Sequence, residues 1–193
     1  MRVIAGSARG AALFVPRAGV RPTMDMVKGA IFDSLQDLIP GARVLDLFAG
    51  SGSLGLEALS RGAANATFVE SDRLAIETMR KNFAKTRLSG EVQAADVFSY
   101  LDRLAPPGAF DLVIADPPYA KVAGERDFAP ELIASASLRR TLAPGGVFVL
   151  EHLPGTPLPQ HPLWECFRDK RYGATAVAFF RAQPVSAPSE PAS

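Results

Sequence analysis

From residue 43 onward the chain alternates short unbroken apolar runs with longer stretches in which apolar residues recur every three or four positions. The segments at 44–48, 67–70, 91–94, 112–115 and 147–151, several of them such runs, read as strands. The stretches between them read as helices, among them 73–86, with Ile76, Met79 and Phe83 turned inward, and 130–142. Several strands are apolar throughout rather than alternating, the pattern of a parallel sheet covered by helices on both faces. Two late segments, 164–170 and 174–181, have no helix between them and predict an antiparallel hairpin across Arg171-Tyr172-Gly173 at one edge. The expected fold class is therefore α/β, a mostly parallel seven-stranded sheet with an antiparallel C-terminal edge. Before it, residues 3–15 suggest two short strands around Gly6-Ser7-Ala8-Arg9-Gly10, a β-hairpin arm. A helix should follow the break at Arg21-Pro22-Thr23. Val27, Ala30, Ile31, Leu35 and Leu38 would form its buried face, Thr23 or Asp25 would cap it, and Pro40-Gly41 would end it. The expected organisation is an arm and helix over 1–40, a sheet domain over 41–183 and a Pro/Ser-rich disordered tail over 184–193.

Composition narrows the class. With 193 residues, 48% hydrophobic and 21% charged, the chain has the make-up of one folded domain rather than a disordered segment. No apolar run approaches the ~18 residues of a membrane span, and MRVIAGSARG lacks the pattern of an export signal, so a soluble cytoplasmic protein without membrane association is expected. The single cysteine, Cys166, fits a reducing compartment and, within an apolar late strand, is expected to pack into the core. His152 and His161 lack metal-ligand partners, so no metal is expected, and Trp164 reads as a packing residue. The net charge of +1 conceals a polarised start: Arg2, Arg9, Arg17 and Arg21 fall within residues 1–22 without an acid among them. Such a run can contact phosphates or can be a solvated loop. The same two readings stay open for Arg168-Asp169-Lys170-Arg171.

The chemistry concentrates in two motifs. Val44 to Gly55 reads VLDLFAGSGSLG, a strand containing Asp46 followed by a glycine-rich turn into a helix. Gly50-x-Gly52-x-x-Gly55 with Glu70 20 residues on also matches a dinucleotide-binding fingerprint. Asp46 argues against that match, because a carboxylate beside the turn repels a pyrophosphate. It favours a cationic ligand, and S-adenosylmethionine carries a sulfonium and an ammonium. Phe48, Ala49, Gly50, Ser51 and Gly52 would form the turn against that cofactor. Glu70, ending the second strand, would accept from the ribose hydroxyls, and Asp96 with the Val97 amide would meet the adenine ring. Both acids could instead cap helices.

The second motif, Asp116-Pro117-Pro118-Tyr119, leaves the fourth strand where open parallel sheets place their ligands. The Asp116 carboxylate and the Pro117 carbonyl can accept from both hydrogens of an exocyclic base amine and aim its lone pair. Pro117 and Pro118 stiffen the loop, and Tyr119 offers a face for an extruded base. The residues thus point to methyl transfer onto a base amine, with S-adenosylhomocysteine as product.

DLFAGSGSLGLEALSRGA together with DPPY resembles the Rossmann-like class I amino-methyltransferases. MRVIAGSARG and RPTMDMVKGAIFDSL before the first strand are similar to the bacterial 16S ribosomal RNA guanine-N2 methyltransferase (RsmD) family, over residues 2–181. That resemblance implies a guanine N2 amine in 16S rRNA as substrate. It further implies the small subunit or its assembly intermediate as partner, and a monomer whose arm recognises RNA through Arg2, Arg9, Arg17, Arg21, Thr23 and Lys28. Two departures stand out: Lys28-Gly29 where the family carries Arg-Glu, and Ala11-Ala12 where it carries a basic pair. Lys28 keeps the charge without the planar fork. The alternatives are a DNA adenine-N6 methyltransferase, which shares DPPY, and a nicotinamide-dependent oxidoreductase.

Overall fold

The computed structural model describes residues 1–15, 22–120, 124–155 and 157–183. Arg17, Arg21, the tail 184–193 and the side chain of Thr23 lie outside the described residues. The elements are α1 (Pro22–Ser34), β1 (Arg43–Leu47), α2 (Ser53–Ser60), β2 (Asn65–Glu70), α3 (Arg73–Thr86), β3 (Glu91–Ala94), α4 (Val97–Arg103), β4 (Phe110–Ala115), α5 (Phe128–Ala134), α6 (Ala136–Thr141), β5 (Leu142–His152), β6 (Trp164–Tyr172) and β7 (Thr175–Ala182). The strands form one seven-stranded sheet in the order β3-β2-β1-β4-β5-β7-β6. The first five strands in that order are parallel, while β7 pairs antiparallel with both β5 and β6. The expected fold class is the one observed.

Each face of the sheet buries its own apolar layer. One joins Val44, Phe68, Leu112 and Val149 to α1, α2 and α3 through Val27, Ile31, Leu56 and Met79. Val3 and Leu13 of the N-terminal segment belong to this same layer. The other joins Leu45, Val113 and Phe148 to Val97, Leu101, Ile133, Leu138 and Trp164. The Trp164 indole nitrogen donates to the Ile133 carbonyl at 2.8 Å, so its ring is a packing residue with its polar atom satisfied. Helix α3 starts where Asp72 accepts from the amides of Leu74 and Ala75, and stops at Arg87 in the left-handed region, φ 59°.

Local polar bonding reshapes three expected features. The 130–142 helix is two helices, because Ser135 adopts extended backbone and caps α6 by accepting from the Leu138 amide. Helix α1 ends at Ser34, where tight turns over residues 35–42 replace it. The arm is the expected hairpin in short form: one antiparallel bridge, Arg2 to Ala12, flanked by bonds from the amides of Val3, Gly10 and Leu13 to the carbonyls of Ala11, Val3 and Met1. The amides of Ile4, Ala5, Ser7 and Ala8 point at Glu57 and Ser60 of α2. Cys166 is exposed rather than packed in the core, because β6 is the outer strand and its ladder shifts between Cys166 and Arg168. Of the late basic cluster, Arg168 lies over the Phe179 ring and Asp169 meets the buried His152 at 3.1 Å. No helix among the described residues is long and apolar enough to cross a membrane.

Candidate active site

The C-terminal ends of the parallel strands open into a cavity of about 1060 Å³. Ligand pockets typically run ~300–1,000 Å³, so this one has room for a cofactor and a second ring beside it. Strand order reverses between β1 and β4, which is where open α/β sheets hold ligands. Phe48, Glu70, Asp96, Val97, Asp116, Pro117, Pro118 and Tyr119 all line the cavity. Met1, Val27, Lys28 and Ile31 close it from the N-terminal side. Asp46, Ala49, Gly50, Ser51 and Gly52 form the turn behind Phe48 rather than the wall itself.

That turn is tightly determined. Gly52 caps α2 at φ 80°, and a side chain there would start 2.8 Å from Met79 Cγ. A Cβ on Gly55 would stand 2.3 Å from the Phe68 ring and 3.1 Å from Asp46 Oδ2. The absence of both side chains lets Asp46 Oδ2 accept from the Gly55 amide at 2.8 Å. The carboxylate thereby occupies the N-terminal end of α2, the position a phosphate would take in a dinucleotide site. Asp46 Oδ1 is buried without a hydrogen-bond partner among the described residues. Burial pushes this carboxyl up to about 7, opposed by the Gly55 amide and reinforced by Glu70.

Glu70 is fixed by three amides. Oε2 accepts from Gly50 at 2.8 Å, and Oε1 accepts from Ser71 and Asp72. Asp72 rather than Glu70 caps the following helix. Asp96 does cap α4, accepting from Ser99 at 3.0 Å, while also lining the cavity. Beside it stands an aromatic wall: the rings of Phe48 and Phe128 are 5.1 Å apart, and Phe98 stacks on Phe128 at 6.3 Å.

Asp116 lines the cavity and makes no hydrogen bond among the described residues. Enclosure by protein drives its proton affinity well above the ordinary carboxylate range, with Glu151 and Asp46 adding to the effect. Tyr119, expected to offer a stacking face, is held by its hydroxyl, which lies 2.9 Å from Glu151 Oε1 and against Thr175 Oγ1. Burial and the neighbouring Glu151 carboxylate raise the Tyr119 phenol strongly, so it remains a neutral donor. Glu151 and Thr175 also line the cavity, and neither was singled out from sequence. The signal for Glu151 was present: like Glu70 and Asp116, it is an acid at the end of an apolar strand. Thr175 carried no local signal, because antiparallel β7 brings its first residue to the edge where β5 ends.

The cations expected to meet RNA divide. Arg2 and Arg9 are exposed, and the Arg2 guanidinium lies 3.8 Å from Asp25. Lys28 is corrected from a phosphate-contacting surface cation to a buried one. It is 3% exposed, and its ammonium donates to the Arg2 carbonyl at 2.7 Å and to Ser53 Oγ at 2.9 Å. Glu57, itself fully buried, lies 3.8 Å from that ammonium. Burial lowers the Lys28 proton affinity, against the pull of Glu57 and Asp25. Arginine's broader planar head would not make these two point contacts in the same way, a physical basis for lysine at this position.

A mostly parallel sheet with this strand order, a carboxylate at the N-terminal end of α2 and an Asp-Pro-Pro-Tyr loop over the cavity define a Rossmann-like methyltransferase. The chain belongs to the ribosomal RNA small subunit methyltransferase D family: the family model described as Conserved hypothetical protein 95 matches residues 1–181. It is 35% identical over 186 residues to ribosomal RNA small subunit methyltransferase D of Escherichia coli strain K12, covering 95% of this chain and 90% of that protein. The protein of the same name from Haemophilus influenzae strain Rd is 34% identical over 185 residues, covering 94% of this chain and 93% of that one. A solved structure of a candidate methyltransferase from Escherichia coli superimposes with a TM-score of 0.79 at 34% identity, covering 95% of this chain and 98% of the other.

Proposed function

We propose that the protein methylates the exocyclic N2 amine of a guanine in 16S rRNA, with S-adenosylmethionine as methyl donor. The small subunit or an assembly intermediate presents the RNA, and the protein acts as a cytoplasmic monomer. The observation that carries this reading is Asp116, a carboxylate facing the cavity without a hydrogen-bond partner among the described residues, near an Asp46 oxygen that likewise has none among them. The relatives' names supply the class of RNA, and the resemblance of the N-terminal segment supplies the base.

The residues fit a cationic cofactor. Glu70 and Asp116 line the cavity with Asp46 behind it, acids that a cation would hold in the ionised form, and the helix end that would hold a phosphate is already taken by Asp46. This disfavours a nicotinamide cofactor. Glu70 is oriented by three amides, so its remaining lone pair faces a ribose hydroxyl; Asp96, the Val97 amide and the Phe48–Phe128 wall suit an adenine ring. The sulfonium of S-adenosylmethionine supplies an electrophilic methyl and a good leaving group. Asp116 and the Pro117 carbonyl accept from the two amine hydrogens, and Pro118 keeps the loop rigid. With the amine aimed in this way, Asp116 would take up the proton that the nitrogen loses on methylation. Alignment and electrostatics carry the reaction. The N-terminal segment meets RNA through exposed Arg2 and Arg9, with Arg17, Arg21 and Thr23 alongside in sequence.

Asp116 is inclined to hold a proton in the free protein, and a cation placed beside it favours the ionised form. Cofactor binding should therefore release protons, and affinity should rise with pH while Asp116 and Asp46 titrate. Calorimetry in buffers of different ionisation enthalpy checks this. Proton release on adding S-adenosylmethionine, with no binding of NAD, is expected; tight NAD binding without S-adenosylmethionine binding would overturn the reading.

A further inference from the structure

The proposed chemistry leaves the cavity-lining Glu151 unused. Glu151 follows β5 residue Leu150, which pairs in register with Ala115 of parallel β4, so Glu151 and Asp116 are the next neighbours along adjacent strands. Its Oε1 lies 2.9 Å from both the Tyr119 and the Thr175 hydroxyls, which also bond each other, so one of the pair donates to Oε1 and the other donates to its neighbour. Oε2 has no partner among the described residues, on a side chain that lines the cavity. This hydroxyl pair holds Oε1 on one side and leaves the other oxygen as an acceptor beside Asp116.

We infer that Glu151 is the specificity-determining residue that reads the ring N1–H next to the target amine, with Tyr119 and Thr175 as its positioning residues. The inference rests on the base-amine methylation proposed above and names how the base is chosen. An acceptor at this place selects by hydrogen-bond polarity. In guanine the exocyclic amine adjoins N1–H, a donor that satisfies Oε2. In adenine and cytosine the amine adjoins an unprotonated ring nitrogen, whose lone pair would face the carboxylate and leave both buried acceptors unpaired. The Tyr119 loop is thereby coupled to the edge hairpin: the DPPY tyrosine acts through its hydroxyl on a residue of another strand.

The test exploits the fixed orientation. In Glu151→Gln the hydroxyls of Tyr119 and Thr175 hold the amide oxygen at the Oε1 position and turn the NH2 group, a donor, toward the base. The methylated position is mapped on small-subunit RNA and replaced by 2-aminopurine, which keeps the amine but has an acceptor at N1. Wild-type protein should prefer guanine over 2-aminopurine by about 10- to 100-fold in kcat/KM. Glu151→Gln should abolish or invert that ratio while binding S-adenosylmethionine as wild type does in calorimetry. The fluorescence of 2-aminopurine on mixing gives a second readout, stronger engagement of that base by the variant. If Glu151→Gln does not fold, Tyr119→Phe, which keeps the ring and frees Oε1, should lower the ratio in the same direction. A ratio unchanged in the folded variant overturns the inference alone. Failure of wild-type protein to methylate either base overturns the underlying function instead.

Discussion

Asp46 shows how one side chain sets the character of the cofactor site. Its carboxyl is buried, bonded once, and raised to about 7 from an ordinary 3.8. A raised carboxyl means the folded state holds a proton that the unfolded state has already lost. Stability conferred by that proton is complete below about pH 4 and declines as pH rises toward 7. The shift corresponds to ~4 kcal/mol at most. In thermal melts of the ligand-free protein, Asp46→Asn should flatten the decline between pH 4 and 7, whereas an unchanged slope would show that Asp46 is not its source. At the same scale, Asp116→Ala should lower methyl transfer by two or more orders of magnitude with little change in cofactor affinity, because the carboxylate acts on the amine only once it is aligned. Single-turnover rates and calorimetry separate the two effects; full activity in the variant would make the loop structural. The acids at strand ends were legible in sequence because their position relative to apolar runs is a local pattern. The role of Glu151 was not, since it depends on Tyr119 and Thr175, 32 and 24 residues away. Nor was the burial of Lys28, because a charge count says nothing about the direction in which a side chain points.

Among the elements, α2 does more than carry the glycine turn. Its residue Glu57 accepts from the amides of Ile4 and Ala5 and from Arg61 Nε at 2.8 Å, with the Lys28 ammonium 3.8 Å away. One buried carboxylate thus ties the N-terminal segment, α1 and α2 together. On α3, Asn82 adds a second tie through the backbone of Phe14 and the carbonyl of Ser51. Removing Glu57 would strand a buried ammonium and two amides. Glu57→Ala should accordingly cost ~3–5 kcal/mol, read from denaturant midpoints; a cost under ~1 kcal/mol would mean that the N-terminal segment is only loosely attached. The strands and α3 were readable from hydrophobic period alone. The short hairpin of the arm was readable from its own glycines and alternation, but its docking was not. Its amides are claimed by α2, a tertiary partner that no local pattern reveals, and Ser135 divided a helix by the capping habit that makes serine a poor interior residue.

For the whole molecule, the N-terminal segment and the sheet share one apolar layer and line one cavity, so the RNA contact and the cofactor binding proposed above would be joined rather than carried on separate units. Arg2 and Arg9 remain the exposed cations of that segment among the described residues. Arg9→Ala should weaken binding to small-subunit RNA and reduce the salt slope by roughly one unit if it meets a phosphate; an unchanged slope in filter binding would remove it from the interface. The central claim, transfer of a methyl group to a guanine N2 amine under the control of Asp116, is tested most directly by the product itself. Small subunits and deproteinised RNA are incubated with labelled S-adenosylmethionine, digested to nucleosides and resolved by mass spectrometry. The account predicts label in N2-methylguanosine with the wild-type protein and its near-complete loss with Asp116→Ala. Label in N6-methyladenosine, or an undiminished yield from the variant, would contradict it.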